Sequence, residues 1–244
     1  MITFENLVAG YGRAGDILRG VEFTAAASAI TCIVGPNGAG KSTVLKVCSG
    51  LLQPRGGRVL LDGEEIQGRS PAEILHHGVV QVPQHHGLFP ALTVRENVVL
   101  GAYVRRKERE RNRRRYEEIA ALYPLIAQRA SDKAAALSGG QRRIVEFARA
   151  LMLQPRVVLL DEPTLGLDPK ASRQLADSIT TLNKEGVTVV MVEQNVRFGL
   201  TLAHHAVVME GGRVLHTGKA DALLADPDMG QLFFGAAPAE ADAS

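Results

Sequence analysis

The chain has 244 residues, 45% hydrophobic and 22% charged, with a formal net charge of +2. That is enough chain to bury a real core, as one large domain or two small ones, and so slight a charge gives no general case for a nucleic-acid partner. Its two cysteines, Cys32 and Cys48, are too few for a disulfide framework and lack metal-ligand spacing, so they read as small buried thiols of a reduced, cytosolic protein.

The first residues, Met1-Ile2-Thr3-Phe4-Glu5-Asn6, have no basic segment followed by an apolar run, so no signal peptide is expected. No apolar stretch reaches the ~20 residues of a membrane span, so any membrane role has to come through partners. Residues 2–8 and 21–23 read as short strands, with Gly10, Gly12 and Gly15 punctuating the chain between them. Residues 29–34 form a buried-type strand, and 44–52 read as a helix with Gly50 near its end. A turn at Pro54-Arg55-Gly56-Gly57 leads to a strand over 58–61, and Pro83 stops another over 79–82.

Residues 93–153 read as mostly helical and carry the run Arg105-Arg106-Lys107-Glu108-Arg109-Glu110-Arg111-Asn112-Arg113-Arg114-Arg115. The interspersed glutamates suit a solvated helix face; a nucleic-acid patch is the sharper alternative, but no aromatic residue interleaves before Tyr116. Apolar runs recur at 157–160, 187–192 and 206–209, with helical segments between them. Such runs alternating with helices imply a parallel sheet covered on both faces. Gly211-Gly212 makes a tight turn into 213–216, a hairpin, and the Ala-rich residues 236–244 read as a disordered tail.

Gly35-Pro36-Asn37-Gly38-Ala39-Gly40-Lys41-Ser42-Thr43 fits the phosphate-loop pattern of Gly, four residues, Gly, Lys and Ser/Thr, between a strand and a helix. The glycines let backbone N–H groups point inward at phosphate oxygens, and the helix opening near Lys41 adds its positive end. Lys41 would neutralise the β- and γ-phosphates of a nucleoside triphosphate, and the Ser42 hydroxyl would ligate Mg2+. The strand 157–160 ends in Asp161-Glu162-Pro163. An acid at the end of a buried strand beside such a loop can hold Mg2+ through water, which suits Asp161. Glu162 points differently and could polarise an attacking water. The plainer alternatives are a Gly-rich turn with an exposed lysine and a pair of acids capping a helix.

A third string, Leu137-Ser138-Gly139-Gly140-Gln141, lies far downstream of the first. Together the three, in this order, resemble the nucleotide-binding subunit of ATP-binding cassette transporters, over residues 1–235. The resemblance implies an α/β P-loop NTPase with a mostly parallel core sheet, an N-terminal antiparallel β subdomain and a helical subdomain over about 93–153. It implies an ATPase whose Ser-Gly-Gly turn opens a helix facing the γ-phosphate bound by a second subunit. The physics agrees: Ser138 can donate to phosphate, Gly139 and Gly140 permit close approach, and the helix from Gln141 supplies its dipole. As local structure alone, Ser138 is an N-cap. The resemblance also puts Tyr11 where an aromatic ring stacks on adenine. Gln84 falls where a glutamine senses Mg2+ and the attacking water and touches the membrane partner. Asp168 falls where an aspartate communicates across the dimer while capping the helix at Pro169.

One position departs from that pattern. After the strand 187–192 the family usually places a histidine on the γ-phosphate, and here Glu193-Gln194-Asn195 puts Gln194 in its place. An amide can donate there but carries no proton or charge near neutral pH. His204 and His205 lie too far along the next helix to substitute and read as surface or packing residues. The Val192-Glu193-Gln194-Asn195 string resembles an ATPase subunit of the branched-chain amino acid importers, and the urea and short-amide importers share it. Leu88-Phe89-Pro90, Thr164-Leu165-Gly166-Leu167 and the ending Gln231-Leu232-Phe233-Phe234-Gly235 extend the likeness.

Those importers pair two ATPase subunits with two membrane-spanning permease subunits and a soluble substrate-binding protein. The expectation is therefore a peripheral subunit at the cytoplasmic face of the inner membrane that binds ATP and Mg2+. Glu162, Gln84 and Gln194 form its catalytic group, Ser42, Gln84 and Asp161 its metal ligands, and the loop from Gln84 to Pro90 its contact with the permeases. Two alternatives stand beside it: a soluble cassette acting on nucleic acid or ribosomes, and a non-hydrolysing, ATP-gated scaffold motivated by Gln194.

Overall fold

The computed structural model describes residues 1–12, 15–84 and 87–226. The tail over 236–244 and the 231–235 string lie outside the described residues. In chain order the strands and helices are β1 (Ile2–Ala9), β2 (Leu18–Ala25), β3 (Ile30–Val34), α1 (Lys41–Cys48), β4 (Gly56–Leu61), β5 (Glu64–Glu65), α2 (Pro71–His76) and β6 (Val79–Val82). There follow α3 (Val94–Val99), α4 (Arg109–Leu122), α5 (Pro124–Gln128), α6 (Gly139–Leu151), β7 (Val157–Asp161) and α7 (Pro169–Lys184). The chain closes with β8 (Thr188–Val192), α8 (Val196–Leu202), β9 (His205–Glu210), β10 (Arg213–Lys219) and α9 (Ala220–Ala225).

Two sheets result. An antiparallel sheet runs in the order β2-β1-β4-β5, and a six-stranded sheet in the order β10-β9-β3-β8-β7-β6. In the second sheet β9, β3, β8, β7 and β6 are mutually parallel, and only β10 returns antiparallel, through the 211–212 turn. Every residue of β3, β7 and β8 is buried, as expected of strands covered on both faces.

The period of two sorts these strands between two cores. Cys32, Val158, Leu160, Val189, Met191 and Val208 face one core with the helices. Ile33, Val157, Leu159, Val190, Val192 and Met209 face the other, against α1 and the antiparallel sheet. Helix α6 supplies the first core with Val145, Phe147, Ala148 and Leu151, a stripe at helical spacing. Truncating a ring as buried as Phe147 would cost about 3–5 kcal/mol.

The parallel arrangement has a functional consequence. The C-terminal ends of β3, β6, β7 and β8 all emerge at one edge, the edge where open α/β sheets bind ligands. From β3 comes the glycine loop, from β6 Pro83 and Gln84, from β7 Asp161 and Glu162, and from β8 Glu193 and Gln194.

Three local features differ from the sequence reading. Helix α1 spans Lys41–Cys48 rather than 44–52, because it starts at the loop and stops before Gly50, whose φ is +75°. His204 and His205 are not helical: α8 ends at Leu202, His204 Nδ1 accepts from the Ile30 N–H at 3.0 Å, and His205 opens β9. Helix α2 was unexpected, although Ser70, Pro71 and Glu73 spell a capping box with proline at the first helical position.

Candidate active site

The glycine loop leaves β3 and returns into α1 with Gly40 at the N-cap, at φ +95°. That left-handed turn aims the first N–H groups of α1 into the loop's concavity, and a side chain there would be strained. A Cβ on Gly35 would fall 2.0 Å from the Met209 carbonyl oxygen, so β9 packs directly on the loop. Lys41 is buried, and its Nζ donates to the Gly35 and Pro36 carbonyls at 2.8 and 3.0 Å. Burial lowers its pKa, while the nearby Glu162 and Asp161 carboxylates favour the charged form.

The end of β7 faces this loop. Ser42 Oγ donates to Asp161 Oδ1 at 2.7 Å, across 119 residues of chain. One residue on, Gln84 Nε2 donates to Glu162 Oε2 at 2.5 Å. Glu162 sits at φ +44°, an uncommon conformation for a side-chain-bearing residue, and its N–H donates to the Val192 carbonyl. Because of that turn, Asp161 is buried and aimed at α1 while Glu162 is half-buried and aimed at Gln84. Among the described residues no three His, Cys, Asp or Glu side chains gather as a metal cluster. The oxygen donors of Ser42, Asp161 and Gln84 suit a small hard cation that also takes phosphate oxygens, which is how Mg2+ is usually held.

Gln194 is exposed and lines two clefts. One, of about 430 Å3, is shared with Gly35, Pro36, Asn37 and Met209. The other, of about 600 Å3, is shared with Glu162, Thr164 and Asn195. Gln194 thus lines both the cleft beside the loop and the cleft beside the carboxylate.

Two buried charges here escaped the sequence reading. Glu193 is buried and accepts from both the N–H and the hydroxyl of Thr164, at 3.1 and 2.8 Å. Burial pushes its carboxyl above the usual range, more than these bonds lower it. Arg143 lies inside the apolar stripe of α6 and is also buried. A charged residue on an otherwise apolar helix face was the available signal, since such a group is buried only when paired.

Ser138 caps α6: Gln141 N–H donates to its hydroxyl at 3.3 Å, and Gln141 Oε1 accepts from the Ser138 N–H and from Arg129. Ser138 and Gly139 are exposed. The two glycines differ: a Cβ on Gly139 would meet nothing within 4 Å, whereas one on Gly140 would fall 2.6 Å from Ala171 Cβ. Gly139 therefore leaves the helix start open, and Gly140 lets α6 pack on α7. None of residues 138–141 lines either cleft beside Gln194.

Of the remaining expected positions, Tyr11 follows β1 with its ring exposed and Lys46 of α1 5.3 Å from its centroid. Asp168 caps α7 by accepting from the Lys170 and Ala171 N–H groups. Of the loop expected to meet the permeases, residues 85 and 86 lie outside the described residues, and Phe89 beyond them is exposed. Part of the arginine run is engaged within the chain. Arg105 and Arg115 donate to the Met152 and Leu151 carbonyls at the end of α6, and Arg111, Arg113 and Arg115 pair with Glu108, Glu110 and Glu118. Both cysteines are buried free thiols, with Cys48 pushed up to about 12 by burial.

Comparison with known proteins gives the same account of the fold. The ABC transporter family model matches residues 18–165. The high-affinity branched-chain amino acid transport ATP-binding protein BraG of Pseudomonas aeruginosa is 34% identical, over 96% of this chain and 100% of its own. The lipopolysaccharide export system ATP-binding protein LptB of Haemophilus influenzae is 31% identical, over 96% and 97%. A dimeric ATP-binding cassette solved in a post-hydrolysis state with ADP and Pi superposes with a TM-score of 0.79 at 29% identity, covering 90% of this chain and 99% of that one. A strand-loop-helix phosphate cradle, facing carboxylates at the edge of a mostly parallel sheet, therefore stands in a chain that belongs to the ABC transporter family and is one of its ATPases.

Proposed function

We propose that this chain is the ATP-hydrolysing subunit of an importer for branched-chain amino acids, peripheral at the cytoplasmic face of the inner membrane. In this reading residues 1–235 are one nucleotide-binding domain that works paired with a second cassette under two permease subunits. The observation that supports hydrolysis is the pair of contacts Ser42–Asp161 and Gln84–Glu162, which join the residues read here as metal ligands and as the water-activating pair. The likeness to BraG carries the cargo.

Lys41 neutralises the β- and γ-phosphates of ATP, and the loop N–H groups with the α1 dipole hold the remaining oxygens. Tyr11 stacks on the adenine. Ser42, Asp161 and Gln84 would hold Mg2+, which when bound would offset the negative charge of the phosphate oxygens. Glu162 polarises the attacking water, and Gln84 fixes its orientation. Gln194 donates an amide N–H toward the γ-phosphate. Positioning and charge stabilisation supply most of the rate effect, since phosphoryl transfer asks little covalent chemistry of the protein. Ser138, Gly139, Gly140 and Gln141 close over the partner's ATP, and Asp168 lies at that junction.

The test is transport. The complex that co-purifies with this chain from its host, in vesicles charged with ATP, should take up labelled leucine, and Glu162→Gln should abolish uptake. Uptake of urea or a short amide in place of leucine would move the cargo within the same importer group. Lipopolysaccharide export by the complex in place of uptake would favour a different cargo, on the likeness to LptB. The nucleic-acid alternative is weakened by the ion pairs and carbonyl bonds of the arginine run; a salt-sensitive shift of labelled RNA would revive it.

A further inference from the structure

The most heavily bonded buried charge outside the expected machinery is Arg143. Its Nε donates to the Pro163 carbonyl at 3.0 Å and one terminal nitrogen donates to the Asp161 carbonyl at 3.2 Å. The other terminal nitrogen donates to the Pro83 carbonyl at 2.7 Å and to Glu146 Oε2 at 2.8 Å. Four of the five N–H donors of a guanidinium are thereby engaged, in a fork that lysine cannot copy. Glu146 in turn accepts from the Gly87 N–H at 3.1 Å.

The placement of these acceptors is the informative part. Asp161 and Pro163 flank Glu162, the residue held at φ +44°. Pro83 immediately precedes Gln84, the partner of the Glu162 carboxylate. Arg143 itself is two residues beyond Gln141, on the first turns of the helix opened by Ser138. On the far side Glu193 clamps Thr164. An uncommon backbone turn persists only when its surroundings over-determine it, and here a buried guanidinium grips both its shoulders.

We propose that Arg143 is a positioning residue for Glu162: it holds the Asp161-Glu162-Pro163 turn and the Pro83-Gln84 segment in one register against the helix that begins at Ser138. This rests on the reading of Glu162 as the group that polarises water. Its consequence is that α6, whose N-terminus faces the partner's nucleotide in that reading, and this chain's own carboxylate cannot move independently.

The test compares wild type, Arg143→Lys, Arg143→Met and Glu162→Gln in the complex purified through this chain, measuring kcat and KM for ATP, with thermal unfolding giving the folded fraction. A loose catalytic geometry costs rate rather than binding, so Arg143→Met should lose at least ~10-fold in kcat per folded molecule with KM within about threefold. Arg143→Lys should recover part of kcat. Wild-type kcat in Arg143→Met, or a loss no larger than the loss of folded protein, would overturn the proposal. Should Arg143→Met not fold, Arg143→Lys decides: lowered kcat per folded molecule at unchanged KM supports it, and wild-type kcat sinks it. Glu162→Gln separates the two readings, because full turnover in that variant removes Glu162 from its role whatever Arg143 does.

Discussion

Around Glu162 the polar groups are tied to neighbours in the same chain, whereas around Ser138 the ties are those of a helix cap. The carboxylate turn is gripped by Arg143 on one side and Glu193 on the other, with Gln84 on its side chain. The Ser138 turn has its capping box and Arg129, and then an exposed hydroxyl and an open Gly139. The first region is held together by contacts within its own chain. The second is shaped by its own chain only as far as the helix start, which suits a surface completed by another molecule. The division of labour between two subunits proposed above fits the different way in which each half is held.

The largest expected effect breaks the assembled half. Replacing the carboxylate in Glu162→Gln should lower turnover by ~10²-fold or more while ATP stays bound, since a positioned general base is worth that much. Stopped hydrolysis with retained ATP would be read from single-turnover phosphate release. Undiminished release would deny the carboxylate its part.

The two signature glycines sharpen the comparison. Gly140→Ala places a methyl 2.6 Å from Ala171 Cβ and should destabilise the chain by about 1–3 kcal/mol, whereas Gly139→Ala should leave stability within about 0.5 kcal/mol. Denaturant unfolding of both variants measures this. Equal stabilities would mean that α6 and α7 are free to separate. Where the family usually has histidine, Gln194→His should keep or raise ATPase activity and Gln194→Ala lower it several-fold, in line with one lost hydrogen bond of about 1 kcal/mol. Three equal rates would make the position a bystander.

The smallest effect concerns pH. Burial raises the Glu193 carboxyl above its ordinary 4.5 in the folded chain. The folded state therefore holds that proton more tightly than the unfolded one. Its contribution to stability is complete below the unfolded value and is lost as pH climbs through the folded value. Glu193→Gln should flatten the fall in melting temperature over that window; an unchanged slope would place the titration elsewhere.

Much of this was legible in the sequence where the requirement is local. The phosphate loop needs glycines, a lysine and a hydroxyl within nine consecutive residues, and the capping box at Ser138 is written within four. The sheet was legible because β3, β7 and β8 are built mainly of Val, Ile, Leu and Met and are buried at every position, as expected of doubly covered strands. What escaped is non-local. The backbone acceptors of Arg143 lie 18, 20 and 60 residues away, and those of a buried guanidinium are carbonyls that no side-chain pattern announces. Glu193 was not legible because its own partner, Thr164, is 29 residues distant. The ends of α1 and α8 differ from the sequence reading because Gly40 starts α1 straight from the loop and the chain turns extended at Ala203 to enter β9.

The central claim is that the loop at 35–43 and the turn at 138–141 serve different nucleotides, and Gly139→Glu tests it most directly. A Cβ there would meet nothing within 4 Å in its own chain, so the variant should fold. ATP affinity of the isolated chain and ATPase activity of the assembled complex are then measured side by side. The account predicts unchanged affinity in the isolated chain and collapsed turnover in the complex. A weakened affinity in the isolated chain, or full turnover in the complex, would contradict it.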